Sequence, residues 1–319
     1  MLSREWRRLR ICHPDLVFTH DTFFGSSTVP TTNPASIDTE FVTKVDDMLR
    51  PFWSTSTTTT VTLDKFVVKF KLSKKHKDHI DRWISFSIAS RAKHIAIDCA
   101  EYADFIFQCE EDKYVFPVCD LSGSNGSCVK HLQLGYVWLK LPSSFCGITS
   151  LKKLTLNTVS INKGDLECLL LTCALLESLS IELCFLSSLS IQKDLCRLQD
   201  LRVRSCHLEM MDLHASNLTK IESDDYLKQI VLTKCFKLSE ATFVRRSLPY
   251  NNYALNSTVT ELPTVIPHVH KLFLLLSIDQ VCSRKKCFIY IQNRHLNQSQ
   301  INYLLCACAF FIILGANIQ

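Results

Sequence analysis

The sequence predicts an α/β solenoid in which short parallel strands stack coil upon coil, with helical or extended segments returning outside them. Three observations carry this. First, a motif of three aliphatic residues recurs, with two residues between the first pair and one between the second. It reads Leu151-Leu154-Leu156, Leu176-Leu179-Ile181, Leu198-Leu201-Val203 and Leu227-Ile230-Leu232. Second, the middle positions 132 (from Val129-Leu132-Leu134), 154, 179 and 201 lie 22, 25 and 22 residues apart. A period in the twenties marks units too small to bury their apolar face alone. Third, 319 residues at 47% hydrophobic content supply a large core, while only 7 glycines oppose a glycine-rich phosphate-binding fold.

This signature at this period is that of leucine-rich repeats, here irregular and about 20–27 residues long. The three aliphatic residues of each strand face the core. The residues between and just after them face the concave surface. Such a stack presents an extended binding surface rather than a catalytic pocket.

Residues 1–25 form the first unit. Helical spacing puts Leu2, Trp6 and Leu9 on one face, and Arg4, Arg7, Arg8 and Arg10 read as a solvated helix face. Pro14 ends that helix, and Leu16-Val17-Phe18 opens an extended segment. Residues 26–62 read as a linker, because Ser26, Ser27, Thr28, Pro30, Thr31, Thr32 and Pro34, and the Ser/Thr run 54–60, cannot build a core. Between them Phe41-Val42-Val45-Met48-Leu49 predicts a short helix, capped by Asp38 or Thr39 and packed on the first repeat.

The repeat domain spans residues 63–280. Phe66, Val68, Phe70 and Leu72 alternate with Val67, Lys69 and Lys71, as in a half-exposed strand. Lys74-Lys75-His76-Lys77 reads as a solvated helix start in preference to an import signal or phosphate patch. Ile80, Trp83, Ile84 and Ile88 give an amphipathic helix, and Ala92-Ile95-Ile97 the next strand. This makes a repeat of about 27 residues from Val68 to Ile95. Residues 100–128 read as an insertion, with acidic Glu110-Glu111-Asp112 and a turn over 122–127, looping from one face. Leu166-Leu169-Leu170-Cys173 is a helix capped by Asn162 or Asp165. Beyond it Leu201, Ile221 and Ala241 recur every 20 residues, with Leu208-Met211-Leu213 and Leu227-Ile230-Leu232 between them. Coils this short predict an extended return segment in place of the outer helix. Val269-Leu272-Leu274, introduced by Leu262-Pro263-Thr264, is the last repeat strand. Residues 281–319 form an atypical hydrophobic tail: Arg284-Lys285-Lys286 is basic, and residues 303–314 are an apolar run of 12. That run falls short of the roughly 20 residues a membrane span needs. It reads as a strand or helix on the last repeat, or as an irregular end.

Several segments resemble plant F-box/leucine-rich-repeat proteins of the FBD type. Met1-Leu2-Ser3-Arg4-Glu5-Trp6-Arg7-Arg8-Leu9 followed by His13-Pro14-Asp15-Leu16-Val17-Phe18 is similar to the last helix and exit strand of an F-box. Arg82-Trp83-Ile84 before Ala92-Lys93-His94-Ile95 is similar to that family's first repeat. So are Leu139-Lys140-Leu141-Pro142 before Phe145-Cys146, and the run Cys173-Ala174-Leu175-Leu176-Glu177-Ser178-Leu179. The resemblance covers roughly residues 1–280. It implies a substrate receptor of an SCF-type (cullin-RING) ubiquitin ligase, in which an F-box holds a Skp-type adaptor and the repeats hold an unidentified target protein. Only the C-terminal part of an F-box is matched. Leu2, Trp6 and Leu9 are therefore candidate remnants of adaptor contact, with packing onto the first repeat as the alternative. A stand-alone repeat protein, binding the target without joining a ligase, is the second functional expectation.

No catalytic constellation is expected, and no cofactor. The sequence holds no phosphate-binding loop, no paired-glycine nucleotide fingerprint and no His-Glu-x-x-His segment. Cys282, Cys287, His295, Cys306 and Cys308 are ill-spaced for zinc. The net charge of +5 is modest and the basic residues are scattered, so no nucleic-acid partner is expected, nor a membrane one. Residues 1–8 lack the apolar segment of a signal peptide. Of 16 cysteines, Cys184, Cys206 and Cys235 each lie three residues after a repeat's last aliphatic position. There an inward S–H can donate to turn carbonyls. They read as reduced thiols of a cytoplasmic or nuclear protein. The concave-face candidates for target binding are Thr155, Asn157, Ser180, Glu182, Arg202 and Arg204, the two arginines suiting a carboxylate or phosphate.

Overall fold

The structure, a computed structural model, describes residues 15–25, 34–53, 62–100, 110–122, 128–224, 229–247, 269–280 and 283–292. The chain divides into two compact units, Met1–Cys173 and Ala174–Gln319.

The first unit is built on a parallel sheet. Its strands are β1 (Asp15–Thr19), β2 (Lys65–Lys69), β3 (His94–Asp98), β5 (His131–Gly135) and β7 (Lys153–Asn157), side by side in that order. β4 (Tyr114–Phe116) and β6 (Val137–Leu139) form a separate parallel pair. Register aligns the aliphatic positions across strands: Phe66 with Ile95, Ile95 with Leu132, and Leu132 with Leu154. Val68 pairs with Ile97, so the first repeat is 29 residues long rather than about 27. Val67 and Ala96 are also buried, which corrects the half-exposed reading of β2. At their middle positions β2 and β3 are therefore covered on both faces, as is common for parallel sheets, while β1, β5 and β7 leave theirs at least partly open.

Three helices pack on this unit besides the short α1 (His20–Phe24). α2 (Pro34–Trp53) buries Phe41, Val42, Val45 and Leu49, and Phe41 stacks on Phe70 with centroids 4.0 Å apart. The packing on the first repeat is as expected; the cap is not. The helix starts at Pro34, a favoured first residue. Asp38 instead meets Lys75 at 3.2 Å. α3 (Lys77–Ala89) buries Ile80, Trp83 and Ile84 on one face, and Phe86 as well. The preceding basic run is a helix start whose lysines are spent internally: Lys74 on Asp112, Lys75 on Asp38 and Lys77 on Asp81. α4 (Lys163–Thr172) is capped by Asn162, whose side chain accepts from the Asp165 N–H at 2.8 Å.

The 100–128 segment is not merely a loop. Tyr114 and Phe116 alternate with exposed Val115, and Val118 and Leu121 are buried beside them. Lys113 donates to Thr158 O at 3.2 Å and Ser160 Oγ at 2.7 Å. Acidic flanks and a glycine turn mask this core contribution in the sequence. Residues 101–109 and 123–127 lie outside the described residues.

The second unit carries two sheets. β8 (Ser178–Glu182), β10 (Asp200–Arg204), β12 (Lys220–Ser223), β14 (Glu240–Ser247) and β15 (Lys271–Gln280) run parallel. β16 (Ser283–Gln292) returns antiparallel to β15, so the sheet continues past residue 280, where the sequence pattern fails. β9 (Ser188–Ile191), β11 (Met210–His214) and β13 (Gln229–Thr233) form the second parallel sheet. The extended return segments are thus strands, and 208–213 holds no helix. One assignment changes: Ile230 and Leu232 lie on β13, in the second sheet, and not on a main-sheet strand. Leu186-Leu189-Ile191 has the same spacing and forms β9, which the sequence reading missed. Both sheets present aliphatic residues to one core, so one motif serves both. Leu227 lies outside the described residues, as do residues 1–14, 26–33, 54–61 and 293–319.

Each coil enters its strand in the same way. Glu177 O accepts from the N–H of Gln199 and Asp200, Gln199 O from Thr219 and Lys220, and Thr219 O from Ser239 and Glu240. Four strands, β5, β7, β8 and β10, are left in the same way, through a non-glycine residue in the left-handed region: Tyr136 (φ 53), Thr158 (φ 54), Leu183 (φ 54) and Ser205 (φ 51). That conformation costs a residue with a Cβ roughly 1–2 kcal/mol, and asparagine tolerates it best. Leu183 is 41% exposed and contributes little to the core. Leu183→Asn should therefore stabilise the second unit by about 1 kcal/mol. An unchanged or lowered urea midpoint would contradict this. Inside the turns, Cys184 donates to Glu182 O (3.4 Å), Cys206 to Arg204 O (3.1 Å) and Cys235 to Thr233 O (3.5 Å), as their positions predict.

Candidate functional site

Strand alternation sets the exposed face of each unit. On the first unit, residues between the buried aliphatics fall into three rows across β1, β2, β3, β5 and β7. The middle row is Val17, Val67, Ala96, Gln133 and Thr155. The row toward the strand ends is Thr19, Lys69, Asp98, Gly135 and Asn157. The row at the strand starts is Asp15, Lys65, His94, His131 and Lys153. Thr155 is half-exposed, and the Asn157 side chain accepts from the Thr158 hydroxyl at 2.9 Å. The scattered basic residues of the sequence are partly gathered by folding: Lys65 and Lys153 flank His94 and His131, whose rings are 5.7 Å apart. Burial, then the charges of Lys65, His131, Lys153 and Lys69, push the His94 imidazole below its ordinary range.

Asp98 sits in this face where sequence reasoning marked nothing. Burial raises its carboxyl, opposed by a hydrogen bond from the Ala100 N–H (3.1 Å) and by Lys69. It fits because its neighbour is Gly135, where an added Cβ would lie 2.2 Å from Asp98 Oδ1. Gly135→Ala should destabilise the first unit by about 1–3 kcal/mol, since Asp98 must leave its place. A thermal midpoint equal to that of the unchanged chain would contradict this.

On the second unit, register aligns Ser180, Arg202, Glu222 and Thr242, and sets Glu182 beside Arg204. The two arginines converge on a carboxylate of the chain itself. Arg202 Nε donates to Glu222 Oε2 and Arg204 Nε to Glu222 Oε1, both at 2.9 Å. Burial works to raise the Glu222 carboxyl, but the Arg204 hydrogen bond and both guanidinium charges outweigh it and hold it low. Arg204 is raised in turn, chiefly by that hydrogen bond. Sequence reasoning missed Glu222. The 20-residue period could have found it, because Glu222 stands one coil after Arg202. The arginines remain about half exposed, with the Glu222 side chain only 15% exposed between them. They present donors held in place rather than loose cations.

Leu2, Trp6 and Leu9 lie outside the described residues, as do Cys282, His295, Cys306 and Cys308. Among the described residues no cluster of His, Cys, Asp and Glu could hold a metal ion. No helix there is long and apolar enough to cross a membrane.

The profile of the At1g61320/AtMIF1 leucine-rich-repeat domain matches residues 55–312. The chain is 26% identical over 210 residues to the FBD-associated F-box protein At5g22720 of Arabidopsis thaliana. That match covers 66% of this chain and 38% of the relative, so the chain spans well under half of that protein. No solved structure matches the chain. Most of the chain is covered by the profile, and its strands carry the aligned leucine positions that such repeats require. The chain belongs to the At1g61320/AtMIF1 leucine-rich-repeat family.

Proposed function

We propose that this chain is the target-binding part of a substrate receptor for an SCF-type ubiquitin ligase, non-catalytic and working in the cytoplasm or nucleus. The observation that carries the reading is the similarity of 210 residues of the chain to an FBD-associated F-box protein. In this reading residues 63–280 bind the target, and residues 1–25 are the F-box remnant toward a Skp-type adaptor. Thr155 and Asn157 on one unit, and Ser180, Glu182, Arg202 and Arg204 on the other, contact the target. The Arg202–Glu222–Arg204 cluster supports this role. Its donors are pre-oriented, so less side-chain freedom is lost on binding.

Co-expression with a plant Skp-type adaptor tests the reading. A complex that survives gel filtration is expected, weakened by Trp6→Ala. A chain that elutes without adaptor, yet still captures a target, would make it a stand-alone binding protein instead.

A further inference from the structure

We propose that the row Lys65-His94-His131-Lys153 on the first unit is a docking surface for an acidic polypeptide segment. This rests on the reading that the repeats bind a protein, and it gives the chemistry of what they bind. The row crosses four adjacent parallel strands. At about 4.8 Å per strand it is roughly 15 Å long, the reach of four or five extended residues. Lys65 and Lys153 stand at its ends, and Lys69 lies on the same face near Lys65. Lys65, Lys69 and Lys153 form no ion pair among the described residues. This contrasts with Lys74, Lys75, Lys77 and Lys93, each of which meets a carboxylate. The face therefore holds cationic charge, at Lys65 and Lys153 above all, that no ion pair among the described residues neutralises. The acidic groups in the three rows are Asp15, at the outer strand, and the half-buried Asp98.

Charge complementarity selects an anionic partner, and the composition of the rows selects a peptide over a nucleic acid. No Phe, Tyr, Trp or Arg stands in the three rows to stack on bases. Two of the four groups are imidazoles, which do not carry the fixed charge of a lysine. Two lysines about 15 Å apart suit two separated carboxylates better than a continuous run of phosphates.

The imidazoles add a second signature. Burial, then the charges of Lys65, His131, Lys153 and Lys69, disfavour the protonated form of His94. A carboxylate laid along the row opposes those charges and favours protonation. Binding then takes up protons, and affinity rises as pH falls below the usual imidazole range of about 6.5.

The test uses the full chain and three labelled probes read by fluorescence anisotropy: an octapeptide of glutamate, one of glutamine, and an eight-nucleotide thymidine strand. Glutamate peptide binding that weakens with salt, exceeds glutamine peptide binding, and tightens severalfold from pH 7.5 to 6.0 is expected. Lys65→Gln with Lys153→Gln should weaken it about 2- to 30-fold, as for two exposed ion pairs, with an unchanged thermal midpoint. Equal binding of the two peptides, no loss in the double variant, or tighter binding of the thymidine strand would overturn the proposal. Adaptor binding on the same preparation separates the claims. Adaptor bound without glutamate peptide refutes the surface and leaves the receptor reading. Peptide bound without adaptor refutes the ligase role and leaves the surface.

Discussion

Leu179→Asp will unfold the second unit. Leu179 is 1% exposed and stands in register with Leu201, Ile221 and Ala241, all buried. A carboxylate there has no cation beside it and no water. Burying such a charge unpaired costs several kcal/mol, against a total stability of roughly 5–15 kcal/mol for an ordinary domain. Each coil is stabilised mainly by its neighbours, so loss of one spreads to the next. Ser180→Asp, one residue along on the exposed face, should change stability by only about 0.5 kcal/mol. Urea denaturation followed by far-UV circular dichroism distinguishes them. A wild-type midpoint for Leu179→Asp would mean the strand register is wrong.

Asp46→Ala will weaken the junction of α2 with α3. The Asp46 side chain is 13% exposed and serves three partners: Trp83 Nε1 at 2.7 Å, His79 Nδ1 at 2.6 Å and Arg82 at 3.0 Å. Trp83 is fully buried, so its N–H has no water to turn to. Leaving it unpaired costs about 1–3 kcal/mol, and losing charge-assisted bonds adds to that. A total near 3 kcal/mol is expected, with Asp46→Asn in between because it keeps an acceptor. The readout is the urea midpoint with tryptophan fluorescence. A loss below about 0.5 kcal/mol for Asp46→Ala would show that the contact carries no stability.

Neither partner of the Asp46–Trp83 bond stands out in the sequence as a pair, since 37 residues separate them. Trp83 itself is legible, through the helical spacing of Ile80, Trp83 and Ile84. The same contrast holds along the chain. The 20-residue spacing of Leu201, Ile221 and Ala241 foretells coils too short for a helix, and β11 and β13 are the strands that replace it. The same period does not tell which sheet Ile230 and Leu232 join, because both sheets demand aliphatic residues at alternate positions. β4 is hidden by its acidic and glycine-rich flanks. In the candidate sites, Arg202 and Arg204 are legible as exposed residues of a strand. Their engagement by Glu222 is not, because it depends on which side chain the next coil lays beside them.

The sequence by itself determined the repeat class, the inward aliphatic positions and the turn cysteines. These follow from periodicity, a property of neighbours along the chain. Only the tertiary structure decided which charges meet. It pairs Lys74 and Lys75 with acids, closes Arg202 and Arg204 on Glu222, and leaves Lys65 and Lys153 beside two histidines. Hydrophobic burial needs only the right kind of residue at each position. An ion pair needs two particular residues within about 4 Å, and the packing of segments distant in sequence brings them there.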